Sequence, residues 1–415
     1  MVETGLEAGP EDQAGAEPAT RARRQVLAAA AAALVAKLFL AATTYGTRDV
    51  NHWRDFVAGV RRAGPVGVYR LDFPASYYNH PPLMGHVLEV VAVLERHGVS
   101  VGFSIRALAS LSDVVSALVV FELVRTRCGV TAARWAGIGV ALSPVLFVIS
   151  GYHANTDPVF CAFVLLAALL LADRGRPGEA GAALGLALGV KVVAVVAVPA
   201  LCVLALRQGR TSAVRFLAGF AAVLAVTWGP AVLRDWTAVR VHVLEYAGSN
   251  DRPQWGVMQV GHWLDDPGWV AAFSGHGRFA VVMLCAGGAA ALVWFRPGRA
   301  AEAVALALAT FLFLSPAFGS QYLVWAVAGA YLLDRLWATV FGLAAGAVLL
   351  ETYTRWNGSL RWDYADQWGF DHREVVALFV CWLILGVVLL RGVWSTGSAP
   401  SRGPVPHAQG RPRLR

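Results

Sequence analysis

The chain has 415 residues, of which 57% are hydrophobic and only 15% are charged. A soluble globular protein carries about a quarter charged residues, and several long runs here hold no charge, so the composition excludes a water-facing fold and predicts an all-α polytopic membrane protein. The net charge of +8 does not indicate nucleic-acid binding. The arginines lie in short loops between apolar runs and in the two tails, as the positive-inside rule expects.

The N-terminal residues predict a tail and then a first membrane span. Residues 1–24 are rich in Ala and Gly and end in RARR, so we expect a disordered cytoplasmic tail. The apolar run at 25–45 is long, and further membrane-like segments follow it. We therefore interpret it as a retained span rather than a signal peptide, with its N-terminus in the cytoplasm.

Further apolar segments continue to residue 391. They lie at about 103–124, 135–151, 158–172, 179–190, 192–206, 213–232, 278–295, 300–315, 321–336, 337–352 and 374–391. Because several are short, we expect about 10–12 transmembrane helices in a domain spanning 25–392. Residues 393–415 are basic and rich in Pro and Gly, which predicts a second disordered cytoplasmic tail.

This arrangement predicts a strong asymmetry between the two faces. With both termini inside, the short loops at Arg125, Arg174, Arg207 and Arg296 are cytoplasmic. The opposite, outer segments hold most of the polar and aromatic residues outside the spans: residues 45–102, GYHANTDP at 151–158, Lys191, residues 233–277, SPAFGSQY at 315–322 and residues 353–373. The protein's chemistry is therefore expected at the outer face of the plasma membrane.

The first outer loop, residues 45–102, is too long for a simple connection. Residues 56–71 and 81–98 each predict an amphipathic helix lying along the interface. Between them, ASYYNHPPL ends in two consecutive prolines, which favour an extended backbone. Tyr77 to His80 are thus expected on a rigid segment.

Asp49, in the stretch GTRDVNHWRDF at 46–56, is the most informative acid of this loop. It is either a catalytic group or an interfacial acid that pairs with Arg48 or Arg54. Asp55 is expected to be a solvated surface charge, and Asp72 is an alternative base.

An acid after the first span, the HW pair, an amphipathic helix and a PPL segment resemble the GT-C glycosyltransferases, above all the hexosyltransferases that use polyprenyl-phosphate sugars. GYHANTDP, LGLALGVKVVAVVAVPAL and SPAFGSQYLVWAV resemble recurring segments of bacterial members. The resemblance implies a GT-C-type fold, Asp49 as catalytic base, and transfer of a hexose, with mannose the first candidate, to a glycolipid, polysaccharide or glycoprotein. It implies no cofactor, because the lipid-phosphate sugar is a co-substrate.

The chemistry of such a transfer agrees with the residues present. A sugar on a lipid phosphate already has a good leaving group, so the enzyme must deprotonate the acceptor hydroxyl and bind the phosphate. No HxH, HExxH or DxD pattern is present, and a site without metal is expected. The candidate substrate-binding residues are His52, Trp53, Tyr78, Asn79, His80, Asn155, Asp157, Lys191, Arg252, Gln321 and Tyr322.

Several of these candidates have structural alternatives. Asn155 and Asp157 could simply cap the following span, since Asn-Thr-Asp-Pro is a helix-start signal. Lys191 lies in an apolar stretch and either binds the lipid phosphate or snorkels to the surface. Arg252 is either a phosphate ligand or an ordinary loop arginine.

Two further charges, Lys37 and Asp113, lie inside predicted spans. At 1.5 Å per residue, Lys37 is about 19 Å from the inner surface and Asp113 about 15 Å from it. These depths agree within about one helical turn, so we expect a structural ion pair.

A transporter or lipid flippase is the main alternative function, and a non-catalytic scaffold is another. A transporter places polar residues along a path through the membrane, whereas a transferase gathers them at one surface. The discriminating observation is whether Asp49, His80, Asp157 and Lys191 surround one outward-facing cavity.

Overall fold

The computed structural model describes residues 10–74, 77–246, 248, 255–367 and 369–398. Helices dominate this part of the chain, as predicted: α1 (Pro10–Thr43), α2 (Asp49–Gly67), α3 (Pro82–Arg96), α4 (Val101–Cys128), α5 (Val130–Ala141), α6 (Pro144–Val148), α7 (Asp157–Ala172), α8 (Pro177–Val190), α9 (Val198–Arg207), α10 (Arg210–Thr227), α11 (Gly229–Val239), α12 (Gly256–Trp263), α13 (Pro267–Ala272), α14 (Arg278–Phe295), α15 (Ala300–Leu314), α16 (Val324–Leu333), α17 (Arg335–Asn357) and α18 (His372–Ser398). A short parallel bridge joins β1 (Gly46–Thr47) to β2 (Tyr364–Ala365).

The apolar helices account for the predicted membrane spans. In the described chain, eight helical segments are long and apolar enough to cross a membrane, and three shorter apolar helical segments accompany them, at Asp157–Ala172, Val192–Arg207 and Ser320–Leu333. The expectation of an all-α, multi-pass membrane protein is confirmed. The shorter segments explain why the sequence alone gave a range of helix numbers.

The two predicted tails are shorter than expected within the described residues. Helix α1 begins at Pro10 rather than at residue 25, and α18 extends to Ser398 rather than ending near 392. Residues 10–24 include several Ala and Arg residues, which favour helix, although Pro18 lies within this part of α1. Residues 1–9 and 399–415 lie outside the described residues.

The first outer loop contains the two expected interfacial helices, α2 and α3. Helix α2 begins at Asp49, earlier than predicted, and buries Trp53, Phe56, Val57 and Val60 along one face. Its regular path breaks at Gly64, whose φ of 78° favours glycine. The following Pro65 cannot donate to the helix. The break turns the chain towards the segment that leads to His80.

Glycines allow α8 and α10 to pack closely. A Cβ on Gly181 would lie 2.0 Å from the carbonyl oxygen of Phe216, and one on Gly219 would lie 2.1 Å from that of Gly178. Small residues are the usual means of close packing between membrane helices. This contact fixes the direction of α8, which ends at Val190 and delivers Lys191 in an extended conformation.

Helix α4 packs against α1, α5 and α7 in the centre of the protein. Here the Nζ of Lys37 lies 2.6 Å from Oδ2 of Asp113, and both side chains are almost completely buried. The predicted intramembrane ion pair is confirmed. Neither residue lines the cavity described below, which agrees with the structural role expected for the pair.

Candidate active site

One cavity of about 680 Å³ collects residues from all six segments predicted to be outside. The first loop provides a group around Asp49 and His80, and the other segments provide Asn155, Lys191, Tyr246, Gln321 and Gln367 among others. These segments are separated by up to about 300 residues of sequence, so only the packing of the spans could bring them together. The predicted clustering of polar residues at one end of the protein is therefore present.

Asp49 is held by a histidine, not by the neighbouring arginines. Its Oδ2 lies 3.0 Å from Nε2 of His153. Arg54 instead donates to the hydroxyl of Tyr45 at 3.2 Å. The alternative of an interfacial acid paired with Arg48 or Arg54 is therefore not the arrangement found.

The backbone around His153 has an unusual conformation, and side chains from the first outer loop hydrogen-bond to it. Residues Ile149–His153 form a π-helical turn, and Ala154 then adopts a left-handed conformation with φ of 68°. The hydroxyl of Thr47 donates to the carbonyl of His153, and the indole of Trp53 donates to that of Ala154, both at 2.7 Å. Because π-turns and left-handed non-glycine residues concentrate at functional sites, this turn marks the site independently of Asp49.

Behind His153 lie two residues that the sequence analysis missed. Nδ1 of His153 hydrogen-bonds the hydroxyl of Tyr353, and that hydroxyl lies 3.0 Å from Oγ of Ser320. Gln367, whose φ is 40°, hydrogen-bonds the Asp49 carboxylate from the segment after β2. The one signal in the sequence that could have pointed to this group was His153, a histidine at the end of an apolar span.

The environment keeps Asp49 ionised. Burial by itself raises the pKa of this carboxyl group, but the electrostatic interaction with His153 and the hydrogen bond from its ring act in the opposite direction, with smaller contributions from His52 and Gln367. The net result is a pKa below the ordinary value. Asp49 is therefore a carboxylate at neutral pH, as a proton acceptor must be.

Lys191 is oriented by a buried carboxylate. Its Nζ lies 2.8 Å from Oδ1 of Asp157, and Trp325 donates to the other oxygen of Asp157 at 2.8 Å. Lys191 lines the cavity and lies over the ring of Tyr322, 5.7 Å from its centroid. Lys191 is thus held at the cavity wall rather than snorkelling freely.

Asn155 has the capping role that was one of its two interpretations. Its Oδ1 accepts from the backbone N–H of Asp157 at 2.7 Å, at the start of α7. Asn155 also lines the cavity, so capping does not remove it from the site. Asp157 acts through Lys191 and Trp325 and does not itself line the cavity.

Part of the YYNHPPL segment lines the cavity, and part of it packs behind the residues that do. Asn79 and His80 line the cavity, and the ring of His80 lies 4.5 Å from that of Trp53. Burial, followed by the nearby charge of Lys191, lowers the pKa of His80 to about 3, so its imidazole is neutral. Tyr78 differs from the expectation of substrate contact. It is fully buried and packs edge-on against Tyr69 and Phe56, behind the wall.

The remaining candidates are distributed as follows. His52, Trp53, Gln321 and Tyr322 line the cavity, whereas Asp72 is exposed and does not. Arg252 lies outside the described residues. Arg278, which the sequence analysis did not single out, lines the cavity, and its buried Nε has no hydrogen-bond partner in the part of the chain that the structure describes. Arg278 supplies a second cation to the cavity that Lys191 lines.

The described residues contain no group of three or more His, Cys, Asp or Glu side chains that could hold a metal ion. The expectation that the site works without a metal stays a prediction. The groups that are present can accept a proton, at Asp49, and can bind an anion, at Lys191 and Arg278.

Comparisons with known structures identify the fold. The structure is similar to ArnT from Cupriavidus metallidurans, solved bound to undecaprenyl phosphate and in the apo state, with a TM-score of 0.51. The match covers 90% of this chain and 77% of ArnT, at 16% and 15% sequence identity. The chain has the GT-C fold.

A family model supports the same conclusion from the sequence. Residues 79–231 match the model described as dolichyl-phosphate-mannose-protein mannosyltransferase, which is rather more than a third of the chain. No curated protein sequence matches. The family-model match and the shared fold agree with the resemblance to GT-C glycosyltransferases seen in the sequence.

Proposed function

We propose that this GT-C protein transfers a hexose from a polyprenyl-phosphate donor to an acceptor hydroxyl at the outer face of the plasma membrane, with Asp49 as general base. One observation carries the proposal: an ionised carboxylate held by His153 shares a cavity with the oriented cation of Lys191. A proton acceptor and an anion-binding group in one cavity are what such a transfer requires.

The donor follows from the cavity and from the structural relative. ArnT was solved with undecaprenyl phosphate, a lipid with an anionic head and an apolar chain. The cavity here combines Lys191 and Arg278 with an apolar wall that includes Val192, Val195 and Phe279. The phosphate of such a lipid would bind the two cations, and its prenyl chain would lie along the apolar wall.

The proposed step is a single displacement. The acceptor oxygen forms a bond to the anomeric carbon as the bond from that carbon to the phosphate oxygen breaks. The acceptor proton passes to Asp49, and the electron pair of the broken bond leaves with the lipid phosphate, whose added negative charge Lys191 and Arg278 stabilise. Attack opposite the leaving group inverts the anomeric carbon.

The sugar is a hexose, with mannose the first candidate because the matching family model is described by that sugar. The acceptor is a glycolipid, polysaccharide or glycoprotein of the cell envelope. A transporter is the alternative function. Apart from the buried pair of Lys37 and Asp113, the polar groups described here are collected at one cavity, whereas a transport path requires them across the membrane.

The test uses membranes that contain the protein, membranes that lack it, and membranes with Asp49→Asn. Each is incubated with radiolabelled polyprenyl-phosphate mannose and, in parallel, with other labelled hexose donors. We expect a labelled product only with the wild-type protein. Labelled donor that binds and changes leaflet without any transfer would replace this proposal with the transporter.

A further inference from the structure

A chain of hydrogen bonds ends on the carboxylate of Asp49. It runs from Ser320 to Tyr353, from Tyr353 to His153, and from His153 to Asp49. The four residues come from the turn before α16, from α17, from the π-turn and from α2. None of the three residues behind Asp49 lies beside it in the sequence, so the chain exists only through tertiary packing.

The chemistry of each group fixes the direction of this chain. An ionised carboxylate only accepts hydrogen bonds, so Nε2 of His153 must carry the proton that faces Asp49. In a neutral ring the other nitrogen, Nδ1, is then an acceptor and receives the hydroxyl proton of Tyr353. The oxygen of Tyr353 can in turn accept from the hydroxyl of Ser320. Each proton in the chain points towards Asp49.

The residues of the chain are also held rigidly. The side chain of His153 is 1% exposed, and Tyr353 is fully buried. The bond from Thr47 to the carbonyl of His153 fixes the backbone of the same residue. His153 bonds only Oδ2 of Asp49, and the Asp49 side chain stays 26% exposed at the cavity. The carboxylate is thus anchored on one side and accessible on the other.

We infer that His153 is a positioning residue for the transfer reaction and that, supported by Tyr353 and Ser320, it holds the Asp49 carboxylate in the orientation that receives the acceptor's proton. This inference rests on the proposed function. His153 takes up no proton in the step, because its Nε2 is already protonated. The acceptor proton stays on Asp49 until it is released to water in the cavity, which restores the carboxylate.

The charged and titratable groups around His153 determine which ionisation a pH profile of the activity reports. The elements packed against the π-turn carry these charged or titratable side chains near it: Asp49 and His52 from α2, Tyr353 from α17, Lys37 from α1, and Asp113 and Arg106 from α4. Lys37 and Asp113 neutralise each other, and Arg106 is engaged by Thr44 and the backbone of Gly102. Asp49 is therefore the group whose ionisation depends on His153.

Three variants test the inference. His153→Phe keeps a buried ring but removes the hydrogen bond, His153→Gln keeps an N–H donor near the position of Nε2, and Tyr353→Phe removes only the hydroxyl behind the ring. Tyr331→Phe is the matched control. Tyr331 is also buried, its hydroxyl lies 3.3 Å from Oγ1 of Thr339, and it does not line the cavity. The readouts are kcat, the donor KM and the dependence of kcat on pH.

Misplacing a catalytic group by about 1 Å costs on the order of 100-fold in rate. We expect His153→Phe to lower kcat by about 10- to 100-fold with little change in donor KM. As the solution is made more acidic, this variant should lose activity at a higher pH than the wild type does. The reason is that burial raises the pKa of Asp49 when His153 no longer lowers it. His153→Gln should restore part of kcat and of the pH profile, Tyr353→Phe should show a smaller change in the same direction, and Tyr331→Phe should match the wild type.

An unchanged pH profile in His153→Phe, or His153→Gln no better than His153→Phe, would show that His153 only supports the fold. If His153→Phe does not fold, the other two variants, His153→Gln and Tyr353→Phe, test the inference. An unaltered pH profile in both of them overturns it. The outcome is separable from the proposed function. A wild-type protein without transfer, or an active Asp49→Asn, refutes that function. An active wild type with inactive Asp49→Asn and unaltered His153 variants refutes this inference alone.

Discussion

Lys191 and Asp157 form an ion pair in which only the lysine reaches the cavity. The two atoms, Nζ and Oδ1, are 2.8 Å apart, the lysine side chain is 20% exposed and the aspartate is completely buried. Trp325 holds the second oxygen of Asp157. The cation is therefore oriented from behind by residues that an incoming phosphate does not touch.

Replacement of Lys191 should weaken donor binding and leave the base intact. Lys191→Met removes the cation but keeps the length of the side chain, so we expect the donor Kd to rise by about 10-fold or more, since a charge-assisted hydrogen bond is worth roughly 1.5–3 kcal/mol. Arg210→Met, an exposed cation outside the cavity, is the control. Unaltered donor affinity in purified Lys191→Met would remove this residue from the phosphate site.

Replacement of Asp49 should have the opposite signature. Asp49→Asn keeps the size of the side chain but cannot accept the acceptor's proton, and loss of a positioned base costs about 100- to 10,000-fold in rate. Donor affinity should stay close to that of the wild type. Asp72→Asn, on an exposed acid of the same loop, should be fully active. Transfer by Asp49→Asn at a near-normal rate would contradict the assignment.

The buried pair of Lys37 and Asp113 should couple strongly in a double-mutant cycle. Asp113→Asn alone leaves the lysine charge unpaired, and breaking a buried pair costs about 3–5 kcal/mol. Adding Lys37→Met should recover part of this loss. Glu95→Gln should cost no more than about 1 kcal/mol, because its pair with Arg61 is partly exposed. Thermal unfolding in detergent measures Asp113→Asn, Lys37→Met, their double variant and Glu95→Gln, and simple additivity of the two core substitutions would exclude coupling.

His80 should make the protein less stable as the solution becomes acidic. The folded protein has a pKa of about 3 for His80, against 6.5 for the free side chain. Between these values the unfolded chain binds a proton that the folded protein does not, so stability falls as the pH drops from about 6.5 towards 3. His80→Phe should flatten this part of the curve of Tm against pH. A slope identical to that of the wild type would mean that His80 is protonated in the folded protein.

The orientation in the membrane can be tested by labelling introduced cysteines. Asp72 and Arg210 are both exposed, so a difference between them reports the side of the membrane. In a background with Cys128→Ser, since Cys128 is exposed, we expect an impermeant reagent added outside intact cells to label Asp72→Cys and not Arg210→Cys. The reverse pattern would place the cavity on the cytoplasmic side and contradict an outer-face reaction.

The sequence by itself determined the features that depend on local pattern. Apolar runs located the spans, since a bilayer accepts only long uncharged helices. Depth along two helices was enough to pair Lys37 with Asp113. The Asn-Thr-Asp-Pro signal gave the start of α7, and Asp49 stood out because it follows the first span directly.

Only the tertiary structure decided which groups hold the candidate base and the cation. The partner of Asp49 is His153, more than 100 residues away, and the partner of Asp157 is Trp325, 168 residues away. Periodicity says which face of a helix is apolar, but not which helices are neighbours. The placement of Tyr78 behind the cavity wall, and of Tyr353, Arg278 and Gln367 at or next to it, depends on that neighbourhood, because membrane helices choose partners by side-chain packing and hydrogen bonds between distant segments.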